Sequence, residues 1–196
     1  MGRTLDKAQI AELPLGWFPG TIHVADSAQA VAEAVACFAG ESVLGLDTET
    51  RPSFRRGERH PIALLQLASE EHAVLVQLRQ AGIPPELRII LESKRIIKVA
   101  QDPANEMRAL SSGYDIKPEC VIDVGMIMRQ AELLPSSVRG QAAHCLGIRV
   151  SKGAQISNWE RLRLSLAQQR YAATDAWVCR QSYLQLTSAA AGLDGA

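Results

Sequence analysis

Aromatic residues are scarce in this chain, at 5% of 196 positions, which argues against a binding surface built from many stacked rings. Net charge is lacking too: 21 basic side chains offset 21 acidic ones. No global field marks a polyanion binder, so any such contact must come from a local patch. The four cysteines, Cys37, Cys120, Cys145 and Cys179, are too far apart for metal-ligand spacing. They stand in apolar segments and read as small buried thiols of a reducing compartment, the cytoplasm. No apolar run is long enough to span a bilayer, and the amino-terminal MGRTLDKAQIAELP lacks the continuous apolar core of a signal peptide. A Gly-rich phosphate loop, GxSxG and HExxH are all missing, which removes nucleotide-triphosphate, serine-hydrolase and zinc-protease chemistry. His23, His72 and His144 have no second ligand at useful spacing and read as structural. No internal repeat is visible.

What remains is an ordinary soluble composition, 47% apolar and 21% charged, of a length that suits one α/β domain with a substantial core. Residues 1–20, with Pro14, Gly16, Pro19 and Gly20, read as an irregular arm. A short strand over Thr21–Val24 leads to a helix over Ala28–Phe38, capped by Asp26 with Gln29 as its capping-box partner. Strands are expected over Val43–Glu49, Ile62–Ala68 and Ala73–Val76, with an exposed hairpin loop over Arg51–Pro61. Alternation follows: helix Pro85–Ser93, strand Arg95–Val99, helix Pro103–Ser111 and strand Cys120–Asp123. Helices over Val124–Leu133, Val138–Leu146 and Leu166–Leu186 complete the chain, with a frayed tail over Ser188–Ala196. Three antiparallel-style strands followed by strand–helix alternation imply a mixed sheet of five to six strands with helices on both faces.

Two short motifs carry chemistry. Asp47 and Glu49 close the strand Val43–Glu49, and strand alternation puts both on one face, with Gly45 below them. Two acids so placed repel unless a cation lies between them, and oxygen-only ligation suits Mg²⁺ or Mn²⁺. A solvated strand end is the competing reading. Tyr171 and Asp175, four apart, share a face of the last helix, which Ser165 opens with Gln168 at the capping-box position. Ala172, Ala173 and Ala176 permit that helix to approach a sheet closely. A tyrosine one turn from an acid can orient a metal-activated water; a core-edge tyrosine bonded to its neighbour is the bland alternative.

Together these residues resemble the DEDDy 3′→5′ exonucleases, nearest in style to the Werner-type exonuclease domains and more distantly ribonuclease D. The matching text is LGLDTETRPSF, then LLQLAS, IIKVAQDPANEMRAL, and SNWERLRLSLAQQRYAATDAWVCRQSYLQL. The resemblance covers roughly residues 20–187, so an exonuclease domain is expected over 21–187, between an arm (1–20) and a tail (188–196). It implies a ribonuclease-H-like fold, two divalent metals held by Asp47, Glu49, Glu106 and Asp175, and release of nucleoside monophosphates from DNA or RNA 3′ ends. Tyr171 joins these as a catalytic residue. One position departs from the pattern: Glu106 stands where the family has aspartate. Its extra methylene moves its oxygens by about one bond, in chemistry whose metal pairs sit about 3.5–4 Å apart. Asp102, one turn earlier, is a minor candidate, although Asp102-Pro103 reads better as a helix cap. A nucleic-acid binder with a weakened exonuclease site is therefore the alternative to an active enzyme.

For substrate, Arg51, Arg55, Arg56, Arg59 and His60 cluster in the loop after the acidic strand, where a phosphate backbone has to lie. A solvated loop part-neutralised by Glu58 competes. Lys152 and Arg161 are second-rank contacts. Trp159 reads as packing under the last helix, and Leu67 and Met107 as core. The choice between DNA and RNA, and the oligomeric state, have no signature.

Overall fold

Leu44 and Leu46 alternate with Gly45 and Asp47, and this period of two makes Val43–Thr50 (β2) the middle of the sheet rather than an edge. The computed structural model describes residues 5–55, 57, 58 and 60–193. Its six strands are β1 (Thr21–Ala25), β2, β3 (Ile62–Ala68), β4 (His72–Gln77), β5 (Ile97–Ala100) and β6 (Val121–Asp123), in the spatial order β1-β4-β3-β2-β5-β6. Strands β2, β3 and β4 form an antiparallel meander, whereas β1, β5 and β6 join in parallel. The mixed six-stranded sheet is the one expected.

Helices α1 (Lys7–Glu12), α2 (Ala28–Val35), α3 (Leu78–Ala81), α4 (Pro85–Glu92), α5 (Ala104–Tyr114), α6 (Val124–Gln130), α7 (Val138–Leu146) and α8 (Leu166–Leu193) cover both faces. Leu65, Leu67, Val74 and Val76 face α2 and α4 in one buried layer. Leu64, Ala68 and Leu75 face Trp159 and the alanines of α8 in the other. The β3 run IALLQLA is buried on both faces, as a central strand must be. Among the described residues, no helix is long and apolar enough to cross a membrane.

Several local expectations are corrected. The arm is not wholly irregular: Asp6 and Gln9 form a reciprocal capping box that starts α1. Ser27, not Asp26, caps α2, because its hydroxyl accepts the Ala30 amide. Asp102 is not the cap of α5; it has a left-handed φ of 46°, and Pro103 takes the cap position without a side-chain bond. Strand β5 begins at Ile97 rather than Arg95, since the Ser93 hydroxyl accepts the amides of Arg95 and Ile96 and holds them in a turn. Helix α8 continues to Leu193 through the helix-favouring Ala189–Ala191 run, so the tail is not frayed there; residues 194–196 lie outside the described residues. Of the cysteines only Cys179 is buried; Cys37 and Cys145 are half-buried and Cys120 is exposed.

Candidate active site

The sheet and the last helix meet with almost no space between them. A Cβ on Gly45 would lie 1.8 Å from the carbonyl oxygen of Ala176, so only glycine fits under α8 at this crossing. Ala172, Ala173 and Ala176 are fully buried on the same contact. This close approach brings the acids of β2 and α8 together: Asp47, Glu49 and Asp175 each offer a carboxylate oxygen within 4.8 Å of the others. A register irregularity at Glu49/Thr50 falls beside them, as bulges often do next to sites.

The start of α8 is fixed as its sequence implies. The Ser165 hydroxyl accepts the Gln168 amide at 3.2 Å, and the Gln168 carbonyl accepts the Ser165 amide at 3.1 Å. The Gln168 amide group then donates to Ser157 Oγ and the Asn158 carbonyl, which ties the SNWE segment onto the helix. Trp159 is fully buried against Tyr171, with ring centroids 5.9 Å apart, and is therefore packing rather than a base platform. Leu67 is buried and Met107 packs against the same core.

The electrostatics are those of a site short of positive charge. Burial, with the charge of Glu106 adding to it, pushes the Asp47 carboxyl up to about 7. Burial and then the charges of Asp47 and Asp175 push Glu49 up to about 9. Asp175 is raised well above the carboxylate range by burial and Asp47, against the opposing hydrogen bond from Tyr171. Burial and the charges of Asp175 and Glu49 keep the Tyr171 hydroxyl protonated far beyond its usual range. In each case burial is the largest cause, and the neighbouring acidic charges add to it.

Glu106, on the first turn of α5, is not one of the three convergent acids, yet its charge acts on Asp47. Its Oε2 is buried without a hydrogen-bond partner. That orphaned acceptor beside an acidic cluster is what a missing cation or its water leaves behind. The oxygen-only set therefore fits a divalent metal. Asp102 is not brought into the group; its carboxylate engages Gln101 and Arg129 in solvent.

Asp47, Glu49 and Asp175 line a cleft of ≈ 340 Å³ together with Arg139, Lys152 and Gln155. Lys152, a second-rank contact in the sequence, thus lines the same cleft as the acids. Arg139 was not foreseen: a lone arginine on a helix reads as solvated, and only the fold turns the first turn of α7 into the cleft. Its Nε is buried without a partner, and among the described residues it makes no ion pair. Arg51, by contrast, leans toward Glu160 at 3.8 Å and shares that acid with Arg79. Arg55 and Arg161 are exposed outside the cleft lining, and Arg56 and Arg59 lie outside the described residues. A second cavity of ≈ 240 Å³ adjoins at Tyr171 and Asp175, walled by Trp17 with the Arg170 guanidinium 5.1 Å from its ring centre.

The mixed six-stranded sheet with helices on both faces is a ribonuclease-H-like fold. The chain belongs to the 3′-5′ exonuclease family, whose model matches residues 22–190. It is 29% identical over 175 residues to the mouse (Mus musculus) bifunctional 3′-5′ exonuclease/ATP-dependent helicase WRN, covering 84% of this chain and 12% of that protein. It thus spans about an eighth of that relative's length. In structure it is similar to the Aedes aegypti Nibbler EXO domain, with a TM-score of 0.77 at 17% identity over 91% of this chain and 94% of the other. It is also similar to Trypanosoma brucei RNase D in complex with RNA U12, with a TM-score of 0.70 at 20% identity over 91% and 64% of the two chains. At these identities the structural matches speak for the fold.

Proposed function

We propose that the protein is a DEDDy-type 3′→5′ exonuclease that uses two Mg²⁺ or Mn²⁺ ions to hydrolyse nucleic acid from its 3′ end, releasing nucleoside monophosphates. The observation that carries this reading is the convergence of Asp47, Glu49 and Asp175 from two elements, with Tyr171 one turn from Asp175 on α8 and lining the same cleft. Asp47, Glu49 and Asp175 would hold one ion, and Asp47 with Glu106 the other. Bound divalent ions neutralise a scissile phosphate and lower the pKa of a water. The residues supply the rest: Tyr171, permanently protonated, orients the attacking water with the help of Glu49, in line with the leaving 3′ oxygen. Since phosphodiester hydrolysis gives the protein little covalent work, positioning and charge neutralisation account for the rate.

Arg139 and Lys152 are the phosphate contacts that the cleft supports best, and Arg51, Arg55 and Arg161 are outer contacts along the strand's path. The residue 21–187 unit is read as the exonuclease domain, with residues 1–20 and 188–196 flanking it. Four cysteines without a disulfide fit a reducing cytoplasm. The RNA bound by the trypanosome ribonuclease D makes RNA one of the substrates to test beside DNA.

The test is a 5′-labelled oligonucleotide incubated with Mg²⁺ or Mn²⁺, with and without EDTA. A metal-dependent ladder shortening from the 3′ end is expected. Asp175→Asn should abolish it, and Tyr171→Phe should slow it by about 10²-fold, as misplacing an attacking group by about 1 Å does. Intact oligonucleotide that is nevertheless retarded on a gel would mark a binder with a weakened site instead.

A further inference from the structure

The opposite side of the sheet holds a second cluster of metal-ligating atoms. Thr21 and His72 are paired in the parallel ladder of β1 and β4, so His23, two residues on from Thr21, shares the face of His72. That face also carries Ala25, Val74 and Val76 and packs against α2, away from the layer of α8 that meets the carboxylates. Helix α2 runs into a 3₁₀ turn, Ala36–Phe38, and this turn delivers Cys37 to the two rings. One ring nitrogen of His23, one of His72 and the Cys37 Sγ all lie within 4.8 Å of one another.

Two details make the group more than a chance meeting of polar residues. His23 Nε2 and His72 Nδ1 are 3.3 Å apart. Two nitrogens on one tetrahedral Zn²⁺, each at about 2.0–2.1 Å, are separated by about 3.3 Å, so the observed edge is already that of a tetrahedral site. Moreover, all three side chains are half-buried, with Cys37 packed against the core beneath α2.

We propose that His23, His72 and Cys37 form a binding site for a borderline-soft divalent transition ion of the Zn²⁺ class, separate from the carboxylate site. Two imidazoles and a thiolate form a nitrogen–sulfur set that selects Zn²⁺ over Mg²⁺ or Mn²⁺, whereas the acids on the other face select the reverse. Three protein ligands leave a fourth position to water. Binding displaces the Cys37 thiol proton to solvent, and nothing is oxidised. The ion would pin the end of α2 to the β1–β4 edge of the sheet, so the role is a structural one that needs no nuclease activity.

The experiment uses the full chain stripped by chelator and then titrated with Co²⁺ as a spectroscopic stand-in and with Zn²⁺ in competition against a chromogenic chelator. Wild type is expected to bind one Co²⁺ with a thiolate-to-cobalt charge-transfer band and intense tetrahedral visible bands, both displaced by Zn²⁺. An Asp47→Asn/Asp175→Asn variant should keep that spectrum. Cys37→Ser should lose the charge-transfer band, and His72→Ala should weaken Zn²⁺ binding by about tenfold or more. Circular dichroism of the stripped variants checks folding, and His23→Gln gives an independent ligand loss should Cys37→Ser fail to fold. A wild-type titration without the charge-transfer band would overturn the proposal, as would a band that survives both Cys37→Ser and His72→Ala.

Discussion

Asp47→Asn should stabilise the metal-free protein while it removes activity, because the wild-type fold gathers anions it cannot satisfy alone. In the unfolded chain Asp47 titrates near 3.8; in the fold it titrates near 7. The folded state therefore binds the extra proton between those values, and wild-type stability falls as pH rises through that window. Glu49, carried from 4.5 to about 9, extends the decline into mildly alkaline solution. A shift of about three units at Asp47 corresponds to roughly 4 kcal/mol at most. Water entering the half-buried cleft screens part of that, so a gain of about 1–3 kcal/mol for the asparagine variant at pH 8 is the working figure. The assay is urea unfolding in EDTA at pH 4 and pH 8, followed by circular dichroism. The variant should match wild type at the lower pH, where both side chains are neutral, and exceed it at the higher. Mg²⁺ should then raise the wild-type midpoint more than that of the variant. Equal stability of the two proteins at pH 8 without metal would refute the argument that these acids are held together against their own repulsion.

Arg139→Ala should weaken oligonucleotide binding by about tenfold, the worth of one charge-assisted bond of about 1.5 kcal/mol, and should flatten the salt dependence by roughly one phosphate contact; an unchanged salt slope would place Arg139 off the backbone path. Gly45→Ala forces a Cβ to within 1.8 Å of the Ala176 carbonyl oxygen, so the helix must lift from the sheet. A loss of about 3 kcal/mol in unfolding experiments, with activity falling alongside, is expected; a variant as stable and active as wild type would show that the crossing is not tight.

The parts of this architecture that depend on local pattern were readable before any coordinates. The alternation of Val43–Thr50 placed Asp47 and Glu49 on one face, and the Ser165/Gln168 pair announced the helix that brings Asp175. The alanines of α8 announced its close approach to a sheet, and the structure adds Gly45 as the point of crossing. What depends on distant partners was not readable. The turn at Asp102 is decided by Asp123, whose carboxylate accepts the Asp102 amide 21 positions away. The half-buried state of Cys37, and its meeting with His23 and His72, arises from strand pairing that no spacing along the chain encodes. Arg139 faces the cleft only because α7 packs against α8. The pairing of Arg51 with Glu160, an acid far along the chain, was likewise not encoded in the sequence around it.

The arm has a consequence for where this protein begins as a physical object. The Phe18 amide donates to Thr174 Oγ1 at 3.0 Å, one residue from Asp175, and the Pro14 and Arg149 backbones are bonded to each other. Family similarity starts only at residue 22. A chain trimmed to the similar region would retain every acid and still lose the strap that holds the flank of the helix presenting one of them. Kinship measured residue by residue thus draws a shorter boundary than the hydrogen bonds do, and it is the longer one that a folding or truncation experiment has to respect.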